Sequence, residues 1–270
     1  MGTTGPRFMD PSERVEQNLI ELFRHFARTH PSGEIRETRG VSIASCGITF
    51  PMFNAAFLSE PVCAARVELE RRIVTAATHF GARGLRWAFW VAEDKVSEKL
   101  RRRAPEVFQN RGLGNPSRLL GMFAEQVLPA SRPQPDLQIC EVADERQRLD
   151  FCNVLSVTFR LPILWCLELY EPTGLWQCGF TGYVGYVHGE PVTTAATMAA
   201  VDALGLYCVA TLPSHAGHGY AEAIVRHALE RGRRDTGISR SILQSSTAGL
   251  PLYQRMGYET VTHIVVFSSV

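Results

Sequence analysis

Two glycines two residues apart, Gly217 and Gly219, stand between an apolar run at residues 206–211 and a helical pattern that opens at Tyr220. The run is rich in strand-forming residues and reads as a buried strand. Pro213 ends it, because proline has no N–H to continue a ladder. Beyond the glycines, Ile224, Val225, Ala228 and Leu229 recur on one helical side. Strand, small-residue loop and helix N-terminus together make a site for a phosphate. The first helical N–H groups lack partners, the macrodipole is positive there, and glycine lets backbone amides close on an anion. The usual nucleotide loops do not fit. No GxxxxGK[ST] is present, GxGxxG is missing, and the strand lies late in the chain instead of opening a βαβ unit.

The stretch at 209–221, VATLPSHAGHGYA, resembles the coenzyme A loop of the GNAT superfamily, the acetyl-CoA-dependent N-acetyltransferases. The family pattern is (Gln/Arg)-x-x-Gly-x-(Gly/Ala). Gly219 and Ala221 match its last two fixed positions, and Ala216 stands where the family usually has Arg or Gln. One side-chain contact to the pyrophosphate is thereby lost, and His218 offers only weak positive charge in its place. A second block, ILQSSTAGLPLYQRMGY at 242–258, resembles the family's next strand and helix. Leu252, Tyr253, Gly257 and Tyr258 fit its Leu-Tyr-x-x-x-Gly-(Phe/Tyr) ending.

The resemblance implies roles for these positions. Backbone amides of Val209, Ala210 and Thr211 would hold the pantetheine arm on a bulged strand, one of them polarising the thioester carbonyl. Gly217, His218, Gly219, Tyr220 and Ala221 would hold the pyrophosphate. Ser246 stands where many relatives have Asn, either bonding the pantetheine arm or serving as a helix N-cap in competition with Thr247. Tyr253 would donate a proton to the departing thiolate as general acid, against the alternative of a half-buried packing tyrosine. Some relatives carry a Glu base where this chain has Gly205, so the general base is open. Asp202, Glu168, Glu171 and His188 are weaker candidates, and a free amine can lose its proton through water. Cys208 raises a covalent acyl-enzyme, but thiols in apolar strands are usually inert. His215 and His218, three residues apart in a loop without a carboxylate, make a poor metal site.

The activity implied is transfer of acetyl from acetyl-CoA to a primary amine of a small-molecule or peptide acceptor, by direct attack in a ternary complex and without a metal. Two other readings stand beside it. One is a related N-acyltransferase with a longer acyl donor or an amino-acid or antibiotic acceptor. The other is a non-catalytic coenzyme A sensor or scaffold, favoured by Ala216 and Gly205.

The elements that position these residues follow from periodicity. An amphipathic helix is expected over 12–28, with Val15, Leu19, Leu22, Phe23 and Phe26 on one side, then strands within 34–45 and 53–58. A helix over 64–80, a buried strand over 85–91 and a charged helix over 93–110 come next, with residues 112–116 as a stop and turn. Core packing is the expected role of Trp87, Phe89 and Trp90. Three prolines within 129–135 mark a linker and a domain boundary. After it come a strand over 137–142, a helix capped by Asp144, an apolar segment at 161–169, and a hairpin across His188-Gly189-Glu190. The order of elements resembles that of tandem GNAT proteins, which implies an α/β (α+β) chain of two GNAT-like halves, each a mixed, mostly antiparallel central sheet flanked by helices. Residues 1–130 would be a degenerate half and 131–270 the coenzyme-binding half.

Bulk properties bound the partners. With 28 basic and 27 acidic residues, the chain has no nucleic-acid or membrane signature. No apolar run approaches the roughly 20 residues of a bilayer span. The first residues lack an apolar signal core, and Pro6 stands where a myristoylation site needs Ser or Thr. Seven scattered cysteines without close Cys-x-x-Cys pairs read as reduced thiols of a cytoplasmic protein.

Overall fold

The computed structural model describes residues 9–63, 66–177 and 179–269. The expected helix start at Ala64 and the Gly2–Pro6 segment lie outside these. The apolar spacing of the first helix produces α1 (Pro11–Thr29), followed by the hairpin β1 (Glu34–Thr38) and β2 (Val41–Ser45) and by β3 (Asn54–Leu58). Then come α2 (Arg66–Gly81) and β4 (Ala88–Ala92), the latter shorter than the expected 85–91 strand at its start.

Two expectations fail in the next stretch. The charged helix over 93–110 is broken into a 3₁₀ turn, α3 (Glu98–Arg101) and α4 (Ala104–Gln109). Pro105 sits in the first turn of α4, a position proline favours and a helix interior does not. Residues 112–116 are not simply a stop and turn. They lead into the 12-residue strand β5 (Leu113–Ala124). Its Pro116 is accommodated at a bulge, where residues 115 and 116 oppose Phe267 alone.

After the proline-rich segment come β6 (Gln138–Glu141), α5 (Glu145–Phe159) and α6 (Ile163–Tyr170), so the apolar segment at 161–169 is a helix. Asp144 caps α5 in a capping box with Gln147. The meander β7 (Phe180–Val187), β8 (Glu190–Ala200) and β9 (Ala203–Thr211) turns at His188 and Gly189, both with positive φ, as a two-residue hairpin turn requires. The chain closes with α7 (Tyr220–Thr236), β10 (Ser241–Ser245), α8 (Leu250–Arg255) and β11 (Glu259–Ser269).

Among the described residues the strands form one 11-stranded mixed sheet, in the order β1-β2-β3-β4-β11-β5-β10-β9-β8-β7-β6. Two pairs are parallel, β3/β4 and β9/β10, each joined by a crossover helix. The order shows an exchange. β11, last in sequence, lies beside β4 of the first half, while β5 of the first half lies beside β10 of the second. With the chain divided at 130/131 as expected, β11 and β5 each lie against a strand of the other half.

Helices cover both faces. On one, α1, α5 and α6 pack in a shared core with Phe23, Phe26, Phe151 and Tyr170. On the other, α2 and α4 cover the first half, and α7 and α8 cover the second. The halves are pinned where Phe50 stacks on Trp165 at 4.8 Å and Glu168 accepts from the Thr49 amide and hydroxyl. A deeper tie comes from α1. Buried Asn18 donates to the carbonyls of Ala200 (2.6 Å) and Ala203 (2.9 Å) and accepts from the Tyr207 hydroxyl (2.5 Å). Asn18→Ala removes two hydrogen bonds to strand carbonyls and leaves the buried Tyr207 hydroxyl without its acceptor, each worth about 1 kcal/mol or more. The variant should lose about 2–4 kcal/mol of unfolding free energy in a denaturant titration; a loss within about 0.5 kcal/mol would contradict this tie.

Candidate active site

The parallel strands β9 and β10 stay paired for three residues only, ending at Leu206↔Leu243. Both continue beyond that point, β9 to Thr211 and β10 to Ser245, but no longer as partners. The arms are held apart by their other neighbours. β10 keeps its ladder with β5 through Ser245↔Leu120. β9 keeps its ladder with β8, with a bulge where Cys208 and Val209 oppose Ala195 alone. At the bulge Cys208 has φ +54°, a left-handed conformation that costs a non-glycine residue about 1–3 kcal/mol. Two contacts offset that cost. Thr194 Oγ1 donates to the Cys208 carbonyl at 2.8 Å, and the Tyr170 hydroxyl lies 3.1 Å from Cys208 Sγ. Next along the arm, Thr193 Oγ1 donates to the Ala210 carbonyl and meets the Thr211 hydroxyl.

The arm of β9 runs into the loop. Pro213–His215 make a 3₁₀ turn, then Gly217 (φ +81°) and Gly219 (φ +86°) bend the chain into α7. Residues 216–219 are exposed. The helix has no side-chain cap, and its first bond onto the loop is Ala223 N–H to the Gly219 carbonyl. Among the described residues, the N–H groups of Tyr220, Ala221 and Glu222 therefore have no protein partner. A Cβ on Gly217 would meet nothing within 4 Å. An exposed turn of open amides at a helix start fits a diphosphate. Burial of Ile224, Val225 and Leu229 at about 1.5–3 kcal/mol each anchors the helix far more firmly than two left-handed glycines strain it. His218 stacks on Tyr220 and turns Nδ1 to the Ala216 carbonyl, so its ring is held against its own loop.

Tyr253 lies on α8, buried, at the end of the β10 arm on the α7/α8 face. A Cβ on Gly249 would sit 2.6 Å from Ser245 Oγ and 3.2 Å from the Tyr253 ring, which places the ring beside the last residue of β10. Burial, then neighbouring Tyr258, raises the Tyr253 phenol above the ordinary tyrosine range, so it keeps its proton. Ser246 is exposed, and α8 is capped by Gly249. The N-cap alternative for Ser246 or Thr247 is thus incorrect, because a turn with Gly249 N–H bonded to the Ser246 carbonyl precedes the helix.

Three of the candidate bases, Asp202, Glu168 and His188, are engaged or lie away from the split. A side chain at Gly205 would collide with Asn18 Oδ1 and the Tyr207 ring, at 2.3 and 2.4 Å. Asp202 lies at the opposite end of β9, bridged to Arg14 and Arg240, and the Arg14 hydrogen bond helps hold its carboxyl below the usual range. Glu168 is engaged by Thr49, and His188 sits in the hairpin turn. Trp87, Phe89 and Trp90 are buried in the cores. Sequence reasoning missed Gln244, the first β10 residue past the split, and the Tyr207–Asn18 bond, which joins residues 189 positions apart.

Burial pushes the Cys208 thiol up to about 12, Cys46 to about 12 and Cys166 to about 11. These thiols carry little thiolate near neutral pH and are poor nucleophiles. Treatment of the folded protein with iodoacetamide at pH 8 should modify exposed Cys63 and spare Cys46, Cys166 and Cys208, as read by peptide mass spectrometry. Labelling of Cys208 as fast as Cys63 would show a reactive thiol at the bulge.

Comparison with known proteins agrees with this geometry. The family model of the GNAT acetyltransferase domain matches residues 178–260. A GCN5-related N-acetyltransferase from Kribbella flavida superposes with a TM-score of 0.72 at 17% identity, covering 97% of this chain and 96% of that one. A functionally unknown conserved protein from Staphylococcus epidermidis gives 0.64 at 14% identity, over 90% and 96% of the two chains. A tandem GNAT protein from the clavulanic acid biosynthesis pathway gives 0.51 at 11% identity, over 95% and 94%. No curated protein sequence matches the chain. Residues 178–260 thus match the GNAT acetyltransferase domain, and the chain has the fold of GNAT proteins along nearly its whole length.

Proposed function

We propose that the second half binds acetyl-CoA and transfers its acetyl group to a primary amine of a small-molecule or peptide acceptor. The observation that carries this is the split of β9 from β10 leading into a turn of partnerless amides at the start of α7. Residues 217–221 would hold the pyrophosphate through backbone N–H groups. Val209, Ala210 and Thr211 would hold the pantetheine arm along the side of β9 that β10 has left, with Ser246 at the facing arm. Acetyl-CoA, when bound, supplies an activated thioester. An amide at the bulge would polarise its carbonyl, and Tyr253 would give its hydroxyl proton to the sulfur that leaves. With Gly205 in place of a carboxylate, the acceptor amine would lose its proton to water.

The first half follows the same strand–helix–strand path, and there the equivalent cleft is closed. Val62 bridges to Val96, its N–H bonding the Lys95 carbonyl at 2.7 Å. Buried Arg72 fills the turn before α2, donating to the carbonyls of Glu60, Pro61 and Gly40 and pairing with Glu68. One coenzyme per chain is the expected stoichiometry by isothermal titration calorimetry with coenzyme A; two would contradict the closed reading of the first half.

Gly219→Asp tests the loop. A Cβ there meets only Pro135, at 3.5 Å, so the side chain has room while its charge opposes the diphosphate. Coenzyme binding should fall below detection in the same titration, and unchanged affinity would refute the loop assignment. Tyr253→Phe should lower acetyl-CoA turnover on an amine panel by about 100-fold or more with little change in coenzyme affinity. Binding without turnover by the unsubstituted protein on every amine would point instead to a coenzyme A sensor.

A further inference from the structure

Of Asn18, Tyr170, Thr194, Tyr207, Cys208 and Gln244, the polar groups along the split on the α1 side, all but Gln244 have protein partners. Tyr207 and Asn18 bond each other, Asn18 also holds two carbonyls, and the Tyr170 hydroxyl and the Cys208 thiol meet at 3.1 Å. Thr194 holds the Cys208 carbonyl. Gln244 is the exception: its Nε2 is buried and has no hydrogen-bond partner among the described residues. Its position is fixed by three observations. It directly follows Leu243, the last β10 residue paired with β9, so it is the first residue on the β10 arm. It lies opposite Gly121 of β5, where a Cβ would come within 3.0 Å of the Val15 side chain of α1, and directly opposed residues share a sheet face. Its neighbour Ile242 belongs to the α1-side core and Leu243 to the opposite one, as strand alternation requires.

A buried donor left unpaired costs about 1–3 kcal/mol, and such groups occur where a ligand or water completes them. We infer that Gln244 is a specificity-determining residue whose carboxamide donates a hydrogen bond to a carbonyl oxygen of the acceptor, close to the amine that is acetylated. This rests on the transferase reading above, which puts the reacting thioester at the bulge of β9, on the facing arm. An oxygen within reach of Gln244 then belongs to a group only a few bonds from the reacting nitrogen. That pattern is an α-amino carbonyl, as in an amino-acid amide or a peptide N-terminus, and not a plain alkylamine. The helix of the first half that closes this side, α1, would thereby form the wall of the acceptor pocket.

The test compares phenylalaninamide with phenethylamine as acceptors for acetyl-CoA, with kcat/KM referred in each case to the concentration of free amine, because the carboxamide that distinguishes the pair also makes the amine less basic. The unsubstituted protein should favour phenylalaninamide by at least about 10-fold in kcat/KM, the discrimination of roughly one hydrogen bond. In Gln244→Leu and Gln244→Met the ratio should fall towards one, and calorimetry should show coenzyme A affinity within about twofold of the parent. As a readout independent of turnover, the Gln244 side-chain amide signals should shift in ¹⁵N NMR on adding phenylalaninamide to the coenzyme A complex, and not on adding phenethylamine. Three results overturn the inference: no preference between the two amines, a preference kept in both variants, or a coenzyme affinity that drops in both variants because Gln244 holds the coenzyme instead. If coenzyme A binds but neither amine is acetylated, the acceptor class is wrong. If coenzyme A does not bind at all, the transferase reading itself fails.

Discussion

The structure depends on keeping two parallel strands apart. β9 and β10 would gain backbone hydrogen bonds by pairing along their full lengths, and they stop after Leu206↔Leu243. What prevents further pairing is that each arm is already committed elsewhere. β5 holds β10 to its last residue, and the bulge at Cys208 turns β9 towards β8. The left-handed backbone at Cys208 is sustained by Thr194 from the neighbouring strand and Tyr170 from the helix above. A groove between two strands of a sheet is therefore maintained by side chains that never need to touch a ligand.

The two halves show how little separates an open cleft from a closed one. Both have a parallel pair joined by a helix, β3/β4 and β9/β10. In the second half the connection carries glycines and leaves amides exposed. In the first it carries Val62, which returns as a strand bridge to Val96, and Arg72, whose guanidinium takes up the carbonyls of the turn. A buried arginine satisfying backbone carbonyls and a helix start that leaves its backbone amides open are opposite electrostatic solutions for the same bend of the chain.

Legibility in the sequence follows the range of the interactions concerned. Asp144 with Gln147, the His188-Gly189 turn and the face of α7 are set by neighbours within a few residues, and each was readable. So was the turn at Gly217 and Gly219 that leads into α7. The strand β5 was not, because Pro116 and two flanking glycines imitate a loop, and only the bulge against Phe267 in a distant strand makes room for the proline. The break before α4 puts Pro105 in a first helical turn, a local signal within a stretch dense in charged residues. At the site, the partners of Gly205 could not be foreseen. The space its side chain would fill is taken by Asn18, nearly two hundred residues earlier, and an unpaired amide such as that of Gln244 emerges only when all its neighbours are placed.

The exchange of β5 and β11 bears on how the chain acquires its structure during synthesis. β4 obtains its second neighbour from the 11-residue strand β11, which is made after every other strand of the sheet. The earlier half consequently waits with an unpaired apolar edge, Phe89 and Val91 included, until β11 has been made. Folding cannot proceed as two successive units, and a release of the nascent polypeptide short of β11 would leave that edge free to seek a strand from another molecule.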